Sequence, residues 1–427
     1  MAEEVWMLQT KKADFKQIGA RFRIDPVTAR IIRNRGIEGE AAIDRYLNGT
    51  LDDLYDPMLL KDMERAVSIL CEAVDTGKKI RIVGDYDIDG VCSTYILLQA
   101  FERLGSDVDF EIPDRIKDGY GINESIIEQA HADGVEVILT CDNGISAFHQ
   151  VELAKKYGMT VVITDHHEVP LDGEKEKIPP ADAVIDPKQA DCPYPFPEIC
   201  GAVVAYKLVQ VLYARRGVPQ MEWLDLLEFA AIATVGDVMK LQDENRILVK
   251  YGLKKMAQTK NLGLRRLAEK NNLDLGAITA YHIGFVIGPC LNAGGRLKTA
   301  KEALALLRAQ SEEEAERLAE ELKELNDTRK DMTEQGTEAA KLQVESWYQK
   351  DKVLVVFLPE CHESLAGIIA GRLREYYQKP AIVLTRGEEA VKGSGRSIDE
   401  YHMFKKLTEV SDLLLKFGGH PLAAGLS

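Results

Sequence analysis

Short apolar runs alternate with amphipathic segments along the chain from Lys79 onward. KIRIV, VEVILT and MTVVIT have the length of strands, and TYILLQAFERLG and HQVELAKKYG follow the first two with helical spacing. Such alternation predicts a parallel sheet covered by helices, with ligands at the carboxyl ends of the strands. A second alternation begins at KVLVVFLPE and includes PAIVLTR. We therefore predict an α/β fold with two α/β regions.

The remaining segments show mainly helical patterns. Asp25-Pro26 and Asp56-Pro57 each precede apolar residues at helical spacing, which predicts a helical entry segment. A proline-rich loop, IPPADAVIDPKQADCPYPFPEICG, leads to further helices that include WLDLLEFAAIATVGDVMKL. Residues 299–347 are rich in Glu, Lys, Ala and Leu and predict one or two long helices. The final GGHPLAAGLS is typical of a helix start, so we expect the natural protein to continue beyond Ser427.

Composition narrows the class of protein. Hydrophobic residues make up 45% and charged residues 29%, and the N-terminal sequence lacks a signal or an anchor, so we expect a cytoplasmic protein without a membrane partner. The seven cysteines contain no C-x-x-C pair, which favours reduced thiols. The net charge of -15 argues against a protein that coats nucleic acid. It is compatible with an enzyme that has acidic metal ligands and a local basic groove.

The motif DYDIDG brings three carboxylates together. Asp85, Asp87 and Asp89 alternate with Tyr86 and Ile88, so an extended segment would point all three the same way. Like charges this close repel unless cations lie between them. The alternative is an acidic turn on the surface. Gly90 then permits a tight turn into the next helix.

Three further motifs supply similar groups. Asp165, His166 and His167 follow one apolar run, and Asp142 follows another in CDNG, so we expect strand ends to deliver these side chains to one sheet edge. Asp237 in TVGDVMKL adds a carboxylate, although an Asp after Gly is also a usual helix cap. Carboxylates with few histidines suit Mn²⁺ or Mg²⁺ better than zinc. We predict a shared centre of two divalent cations, roughly 3.5–4 Å apart, which activates water at a phosphorus centre.

Together these motifs resemble the DHH phosphoesterase superfamily and, most closely, its RecJ exonucleases. Four further segments share the RecJ pattern: PDRIKDGYG at 113–121, GPCLNAGGRL at 288–297, GSGRS at 393–397 and FGGHPLAAG at 417–425. The resemblance implies a parallel-sheet DHH domain joined by long helices to a smaller α/β DHH-associated domain. We predict an entry segment at 1–76, the DHH domain at 77–265, a helical connector at 266–348 and the DHH-associated domain at 349–427.

The resemblance also implies the ligands of both cations. One would be held by Asp85, Asp87 and Asp142. The other would be held by Asp89, Asp142, His166 and Asp237, with Asp142 bridging. Relatives that cleave pyrophosphate or dinucleotides have a histidine where this chain has Val83, which puts the role of Asp85 in question. His167 would face the scissile phosphate, and Asp165 would orient a neighbouring histidine.

Phosphate-binding residues follow from the same resemblance. Arg115, Arg296, Ser394 and Arg396 would contact phosphates from either side of a cleft between the domains. His420, which follows two glycines, would donate a hydrogen bond to a phosphate. The alternatives are surface ion pairs for the arginines and a turn ahead of a helix for His420.

The function implied by the resemblance is 5′–3′ exonuclease activity on single-stranded DNA in repair and recombination. Mononucleotides would be released one at a time with Mn²⁺ or Mg²⁺, alongside a helicase or a single-strand-binding protein. Bacterial RecJ proteins usually add an oligonucleotide-binding barrel, whose strand pattern this sequence lacks, so we expect reduced processivity.

Three other functions stay open. The first is a phosphodiesterase of the same superfamily that degrades nanoRNA or cyclic dinucleotides. The second is an inactive DHH scaffold of a replication complex, although every expected ligand position is filled here. The third is a plain nucleotide-binding protein, which would need more glycines than DYDIDG provides.

Overall fold

The computed structural model describes residues 7–427, which form two compact units. We call residues 7–323 the N-terminal unit and residues 324–427 the C-terminal unit. The division falls inside one long helix, and the bounds of the four segments that the sequence suggests stay predictions. No helix within residues 7–427 has both the length and the apolar composition needed to cross a bilayer.

The N-terminal unit begins with four helices, and the sequence predicts the helical character of this segment but not their number. Residues 1–6 of the predicted entry segment lie outside the described residues. The helices are α1 (Phe15–Phe22), α2 (Pro26–Asn34), α3 (Glu40–Asn48) and α4 (Met63–Asp75). Asp25 caps α2, because its Oδ1 accepts hydrogen bonds from the amides of Val27 and Thr28 at 2.9 Å. Asp56-Pro57 starts only a 3₁₀ turn, Pro57–Leu59. The helical pattern after Pro57 is interrupted before α4, where Asp62 has a left-handed φ of 60°.

A parallel sheet forms the centre of this unit. The strands are β1 (Ile80–Val83), β2 (Val108–Glu111), β3 (Val137–Cys141), β4 (Thr160–Thr164), the short hairpin β5 (Leu171–Asp172) and β6 (Lys175–Glu176), and β7 (Ala183–Ile185). The order β2-β1-β3-β4-β7 and the parallel pairing confirm the predicted sheet. The assignment of the whole proline-rich segment to a loop was wrong. Its residues Ala183, Val184 and Ile185 are buried and form the fifth strand.

Helices cover the sheet and continue beyond it. They are α5 (Ile88–Arg103), α6 (Glu124–Ala132), α7 (Phe148–Lys156), α8 (Gly201–Arg216), α9 (Gln220–Leu224), α10 (Leu227–Gly236), α11 (Asp243–Met256), α12 (Leu262–Lys270), α13 (Ala280–His282), α14 (Gly288–Leu297) and α15 (Lys301–Leu307). Apolar residues of α6 and α7 share a buried cluster with residues of β3 and β4. Helix α5 packs against both α8 and α10. A π-helical turn, Ile283–Ile287, precedes α14.

The long helices predicted over residues 299–347 are present. After α15, the helix α16 (Glu312–Gln343) runs for 32 residues and is followed by a π-helical turn, Val344–Tyr348. Residues 308–311 separate α15 from α16. The sequence therefore predicted both the helical content and the possibility of two helices.

The C-terminal unit is a second α/β assembly. Its strands are β8 (Leu354–Phe357), β9 (Ala381–Arg386), β10 (Val391–Arg396), β11 (Phe417–His420) and β12 (Ala423–Leu426), and its helices are α17 (Glu363–Tyr377) and α18 (Met403–Thr408). The sheet order is β11-β12-β10-β9-β8, with only the β8–β9 pair parallel. The helix expected at the chain end was wrong. Those residues form the β11–β12 hairpin, in which a Cβ at Gly419 would lie 2.3 Å from the carbonyl oxygen of Ala423.

Candidate metal centre

Three parallel strands end beside one another at the candidate site. One residue separates Asp85 from the end of β1. Asp142 directly follows β3, and Asp165, His166 and His167 directly follow β4. Because β1, β3 and β4 are neighbours, their carboxyl ends meet at one edge of the sheet. The structure thus brings these predicted site residues together.

The DYDIDG motif is not extended, which corrects the expected alternation of its carboxylates. Asp87 is the N-cap of α5, and its Oδ1 accepts hydrogen bonds from the amides of Asp89 at 2.9 Å and Gly90 at 3.1 Å. Asp89 then lies in the first helical turn. A Cβ on Gly90 would lie 2.4 Å from the carbonyl oxygen of Asp85, so this tight turn requires glycine. The strand β1 ends before the first of these carboxylates. They converge because the chain turns from β1 into α5.

Asp89 is held by the start of a second helix. Its two oxygens accept hydrogen bonds from the amides of Gly201 at 2.6 Å and Ala202 at 2.7 Å. These amides are unsatisfied donors at the N-terminus of α8, where a negative charge is favourable. Helix α8 therefore fixes the Asp89 carboxylate.

Asp237 reaches the centre from a helix end. It is the C-cap of α10, so Asp237 is a helix cap, as the alternative held, and it also reaches the cluster. Three strand ends and one helix end supply the cluster. The Oδ2 atom of Asp237 lies 3.9 Å from Nε2 of His166.

His166 lies at the middle of the carboxylates. Its Nε2 is 3.1 Å from Oδ1 of Asp142 and 3.4 Å from Oδ2 of Asp89. The donor atoms of three overlapping sets each lie within 4.8 Å of one another: Asp85, Asp87 and Asp142; Asp89, His166 and Asp237; and Asp142, His166 and His167. Asp142 and His166 each belong to two of these sets.

The electrostatics of the cluster are unfavourable for the bare carboxylates. Burial and the neighbouring Asp87 raise the pKa of Asp85 to about 8, and burial with Asp89 and Asp87 raises the pKa of Asp237 to about 8. Burial and nearby carboxylates also raise the pKa values of Asp87 and Asp142. Burial lowers the pKa of His166, which favours the neutral imidazole that coordinates metals.

The residues present fit divalent cations. Among the described residues, Oδ1 of Asp85, Oδ1 of Asp142 and Nδ1 of His166 are buried and have no hydrogen-bond partner. A buried carboxylate oxygen without a donor is costly, and a cation satisfies it. Several carboxylates with one imidazole form a donor set typical of Mg²⁺ and Mn²⁺.

His167 is positioned by two partners. Its Nδ1 lies 2.8 Å from Oδ1 of Asp165 and 3.0 Å from the hydroxyl oxygen of Tyr120. Burial alone would lower the pKa of His167, but the hydrogen bond and charge of Asp165 raise it to about 9. Asp165 also accepts hydrogen bonds from the amides of Ile145, His166 and His167. Asp165 thus orients His167, as the sequence suggested for a neighbouring histidine.

Two predicted phosphate-binding arginines lie near Tyr86. The guanidinium carbon of Arg115 is 4.7 Å from the centre of the Tyr86 ring. Arg296 lies in α14, which packs closely against the backbone of Tyr86. The preceding Gly295 permits this packing, because a Cβ there would lie 2.2 Å from the Tyr86 carbonyl oxygen. Both arginines therefore neighbour the DYDIDG loop.

The other predicted phosphate-binding residues belong to the C-terminal unit. Ser394 and Arg396 lie on β10, where Nη1 of Arg396 donates a hydrogen bond to Oγ of Ser394 at 3.2 Å. His420 lies on β11 and is exposed. All three belong to the antiparallel part of the second sheet.

Sequence reasoning missed two residues that shape the centre. Tyr120 was noted only as part of PDRIKDGYG, but its hydroxyl contacts both His167 and the backbone of Asp142. Asn143 is buried, and its amide group donates to the carbonyl oxygens of Val83 at 3.0 Å and Cys141 at 2.9 Å. Its position next to Asp142 in CDNG was the available signal.

Two family models match the chain. One, described as the DHH family, N-terminal domain, matches residues 79–234, and the other, described as the DHHA1 domain, matches residues 350–427. The first match contains all of the candidate ligands at the strand ends. The fold and the site define the chain as a DHH-family protein with a DHHA1 domain.

Curated relatives identify the branch of that class. The single-stranded-DNA-specific exonuclease RecJ of Bacillus subtilis is 37% identical over 425 residues, which cover 99% of this chain and 53% of the relative. RecJ of Haemophilus influenzae is 36% identical over 429 residues, which cover 96% of this chain and 73% of the relative. The chain belongs to the RecJ family. It spans about half the length of the Bacillus relative.

Solved structures agree with this assignment. RecJ of Thermus thermophilus in complex with Mn²⁺ superposes with a TM-score of 0.81 at 31% identity, covering 97% of this chain and 58% of that one. The same protein in complex with Mg²⁺ gives a TM-score of 0.73 at 29% identity, with 97% and 56% covered. Both structures therefore share the fold across nearly all of this chain.

Proposed function

We propose that this chain is a metal-dependent 5′–3′ exonuclease that degrades single-stranded DNA to mononucleotides. The observation that carries the proposal is the set of buried or half-buried carboxylates around His166. Membership of the RecJ family supports single-stranded DNA as the substrate. Repair and recombination in the cytoplasm are the proposed setting.

We assign two divalent cations, Mn²⁺ or Mg²⁺, to the centre. Asp85, Asp87 and Asp142 would hold one. Asp89, Asp142, His166 and Asp237 would hold the other. The donor sets support this division, and Asp142 is the bridging candidate because it shares one set with Asp85 and Asp87 and another with His166. When bound, the cations supply a hydroxide nucleophile and neutralise charge on the phosphate.

The protein's own residues prepare the substrate. Asp165 stabilises the protonated form of His167, so its imidazolium would offset the negative charge of the scissile phosphate. Tyr120 and Asp165 limit the rotation of that ring. Backbone amides of α8 hold the Asp89 carboxylate in place. This side chain would therefore need little rearrangement when a cation binds.

Phosphates beyond the scissile one would bind to Arg115 and Arg296 in the N-terminal unit and to Ser394, Arg396 and His420 in the C-terminal unit. Arginine suits this role because its fork holds two phosphate oxygens. The position of Arg115 and Arg296 beside the DYDIDG loop supports their part of the proposal. A helicase or a single-strand-binding protein remains a proposed partner.

The test is digestion of a long single-stranded DNA labelled at either end, with Mn²⁺, Mg²⁺ or EDTA and with the matching duplex as substrate control. We expect metal-dependent release of labelled mononucleotides from the 5′ end of the single strand. Cleavage confined to dinucleotides or trinucleotides would instead indicate a small-substrate phosphodiesterase. The absence of any cleavage by folded, Mn²⁺-loaded protein would indicate an inactive scaffold.

The variant Asp142→Asn tests the bridging role, because it keeps the side-chain shape and removes the charge. For this variant we expect no measurable cleavage, and calorimetric titration should show at least one fewer bound Mn²⁺ than in the parent protein. The circular dichroism spectrum should be unchanged. Asp191→Asn is the matched control, since Asp191 forms an exposed ion pair with Lys61. Retained cleavage in Asp142→Asn would contradict the assignment.

A further inference from the structure

The N-terminal unit contains a cavity of about 460 Å³ away from the metal centre. Its walls include Tyr95 and Arg103 of α5, Glu228 and Phe229 of α10, and Lys255 of α11. Helices α5 and α10 both extend from this cavity to the metal centre. Asp87 and Asp89 lie at the start of α5, while Asp237 follows the end of α10. A ten-residue helix is about 15 Å long, which separates the two sites.

Glu228 is the unusual group in this cavity. It is 3% exposed, and its Oε1 accepts a hydrogen bond from the hydroxyl of Thr259 at 2.7 Å. Its Oε2 is buried and has no hydrogen-bond partner among the described residues. A buried carboxylate oxygen without a donor carries a desolvation cost that a bound donor would remove.

The arginine and lysine side chains that line the cavity do not donate a hydrogen bond to Oε2 of Glu228. Arg103 pairs with Glu222, Lys255 and Lys260 both pair with Asp225, and Arg308 pairs with Glu102. An anionic ligand would therefore have to compete with these acidic partners, and Glu228 would repel it. A cationic ligand finds one carboxylate oxygen already available.

The rest of the lining favours an organic cation over a metal ion. Glu228 belongs to none of the groups of three or more potential metal ligands found among the described residues. Leu226, Leu262 and Leu307 line the cavity and would contact an aliphatic chain. The rings of Tyr95 and Phe229, with centroids 4.3 Å apart, add aromatic carbon to the same walls. The volume also exceeds what a bare ion needs.

We propose that this cavity binds a small aliphatic amine, with its ammonium group donating a hydrogen bond to Oε2 of Glu228. The carbon chain would lie against the leucines and aromatic rings. The site is separate from the proposed nuclease centre, and its occupancy does not depend on nucleic acid.

Titration calorimetry of the Mn²⁺-loaded protein with 1,4-diaminobutane at pH 8 tests this proposal, because Glu228 is then ionised and saturating metal occupies the other acidic cluster. The neutral isostere 1,4-butanediol is the ligand control. We expect the diamine to bind with unit stoichiometry and the diol to give no measurable heat. The failure of the diamine to bind, or equal binding of the diol, would overturn the proposal.

The decisive variant is Glu228→Gln, whose amide oxygen still accepts the hydrogen bond from Thr259. We expect the affinity for the diamine to fall at least tenfold. Glu64→Gln on the exposed face of α4 is the matched control and should change the affinity less than twofold. Undiminished affinity in Glu228→Gln would refute the site. A tenfold loss in Asp142→Asn would refute it too, because the amine would then bind at the metal centre.

Discussion

The hydroxyl group of Tyr120 donates a hydrogen bond to the carbonyl oxygen of Asp142 at 2.9 Å. Asp142 has a φ of 60°, a left-handed conformation that residues other than glycine rarely adopt. The same hydroxyl oxygen lies 3.0 Å from Nδ1 of His167. Tyr120 therefore links the strained backbone of the proposed bridging ligand to the histidine proposed to face the phosphate.

Removing this hydroxyl in Tyr120→Phe should lower the single-turnover cleavage rate about fivefold, since a hydrogen bond contributes roughly 1 kcal/mol and about 1.4 kcal/mol is a factor of ten. Mn²⁺ affinity should remain within about threefold, because no ligand atom is lost. Tyr157→Phe is the control, since Tyr157 stacks on His131 and does not contact the centre. An unchanged rate in Tyr120→Phe would show that the hydroxyl does not position His167.

Glu228 should make stability depend on pH. Burial raises its pKa from the ordinary value of 4.5 to about 7, so the folded state holds a proton that the unfolded state releases. The free energy of unfolding should therefore fall as pH rises from about 4.5 to 7 and stay low above that. Glu228→Gln should be more stable than the parent at pH 8 by roughly 1–3 kcal/mol and nearly equal at pH 4.5. Urea unfolding at both values measures this, and equal stability at pH 8 would contradict it.

A buried ion pair anchors the entry segment to the helices around the sheet. Nζ of Lys207 lies 3.0 Å from Oε2 of Glu244, and both side chains are almost fully buried, at 1% and 0% exposure. The same Nζ donates to the carbonyl oxygen of Tyr55 at 3.1 Å. Breaking a buried pair leaves an uncompensated charge.

Lys207→Met should therefore lower the free energy of unfolding by about 3–5 kcal/mol, and the double variant Lys207→Met, Glu244→Leu should recover part of the loss. Denaturant unfolding gives both values. Lys61→Met, which breaks an exposed pair with Asp191, should cost less than about 1 kcal/mol. Similar losses in Lys207→Met and Lys61→Met would mean that the buried charge is compensated in another way.

The backbone at Gly295 packs closely against the DYDIDG loop, which leaves no room for a side chain at this position. Because a Cβ at this position would lie 2.2 Å from the Tyr86 carbonyl oxygen, Gly295→Ala should displace the loop, reduce cleavage and destabilise the protein by about 1–3 kcal/mol. Gly284→Ala is the matched control, since its Cβ would have an ordinary contact of 3.6 Å with Val235. Thermal unfolding and cleavage rates compare the two variants. Full activity in Gly295→Ala would exclude tight coupling between α14 and the loop.

Local sequence determined the strands that carry the centre. The runs that become β1, β3 and β4 are apolar because parallel strands covered on both faces are buried throughout. Asp85, Asp142 and Asp165 follow these runs in the sequence. Their meeting at one edge could therefore be predicted, since parallel neighbours place their carboxyl ends together.

Only the tertiary structure decided how the remaining groups join them. Asp237 follows a helix whose direction depends on packing against α5 and α8, and Tyr120 reaches Asp142 across 22 positions of sequence. The short strand β7 and the β11–β12 hairpin exist because neighbouring strands complete their hydrogen bonds. The spacing of hydrophobic residues indicates the secondary structure and burial of one segment. The contacts named here depend on partners that are distant along the chain, so this spacing does not predict them.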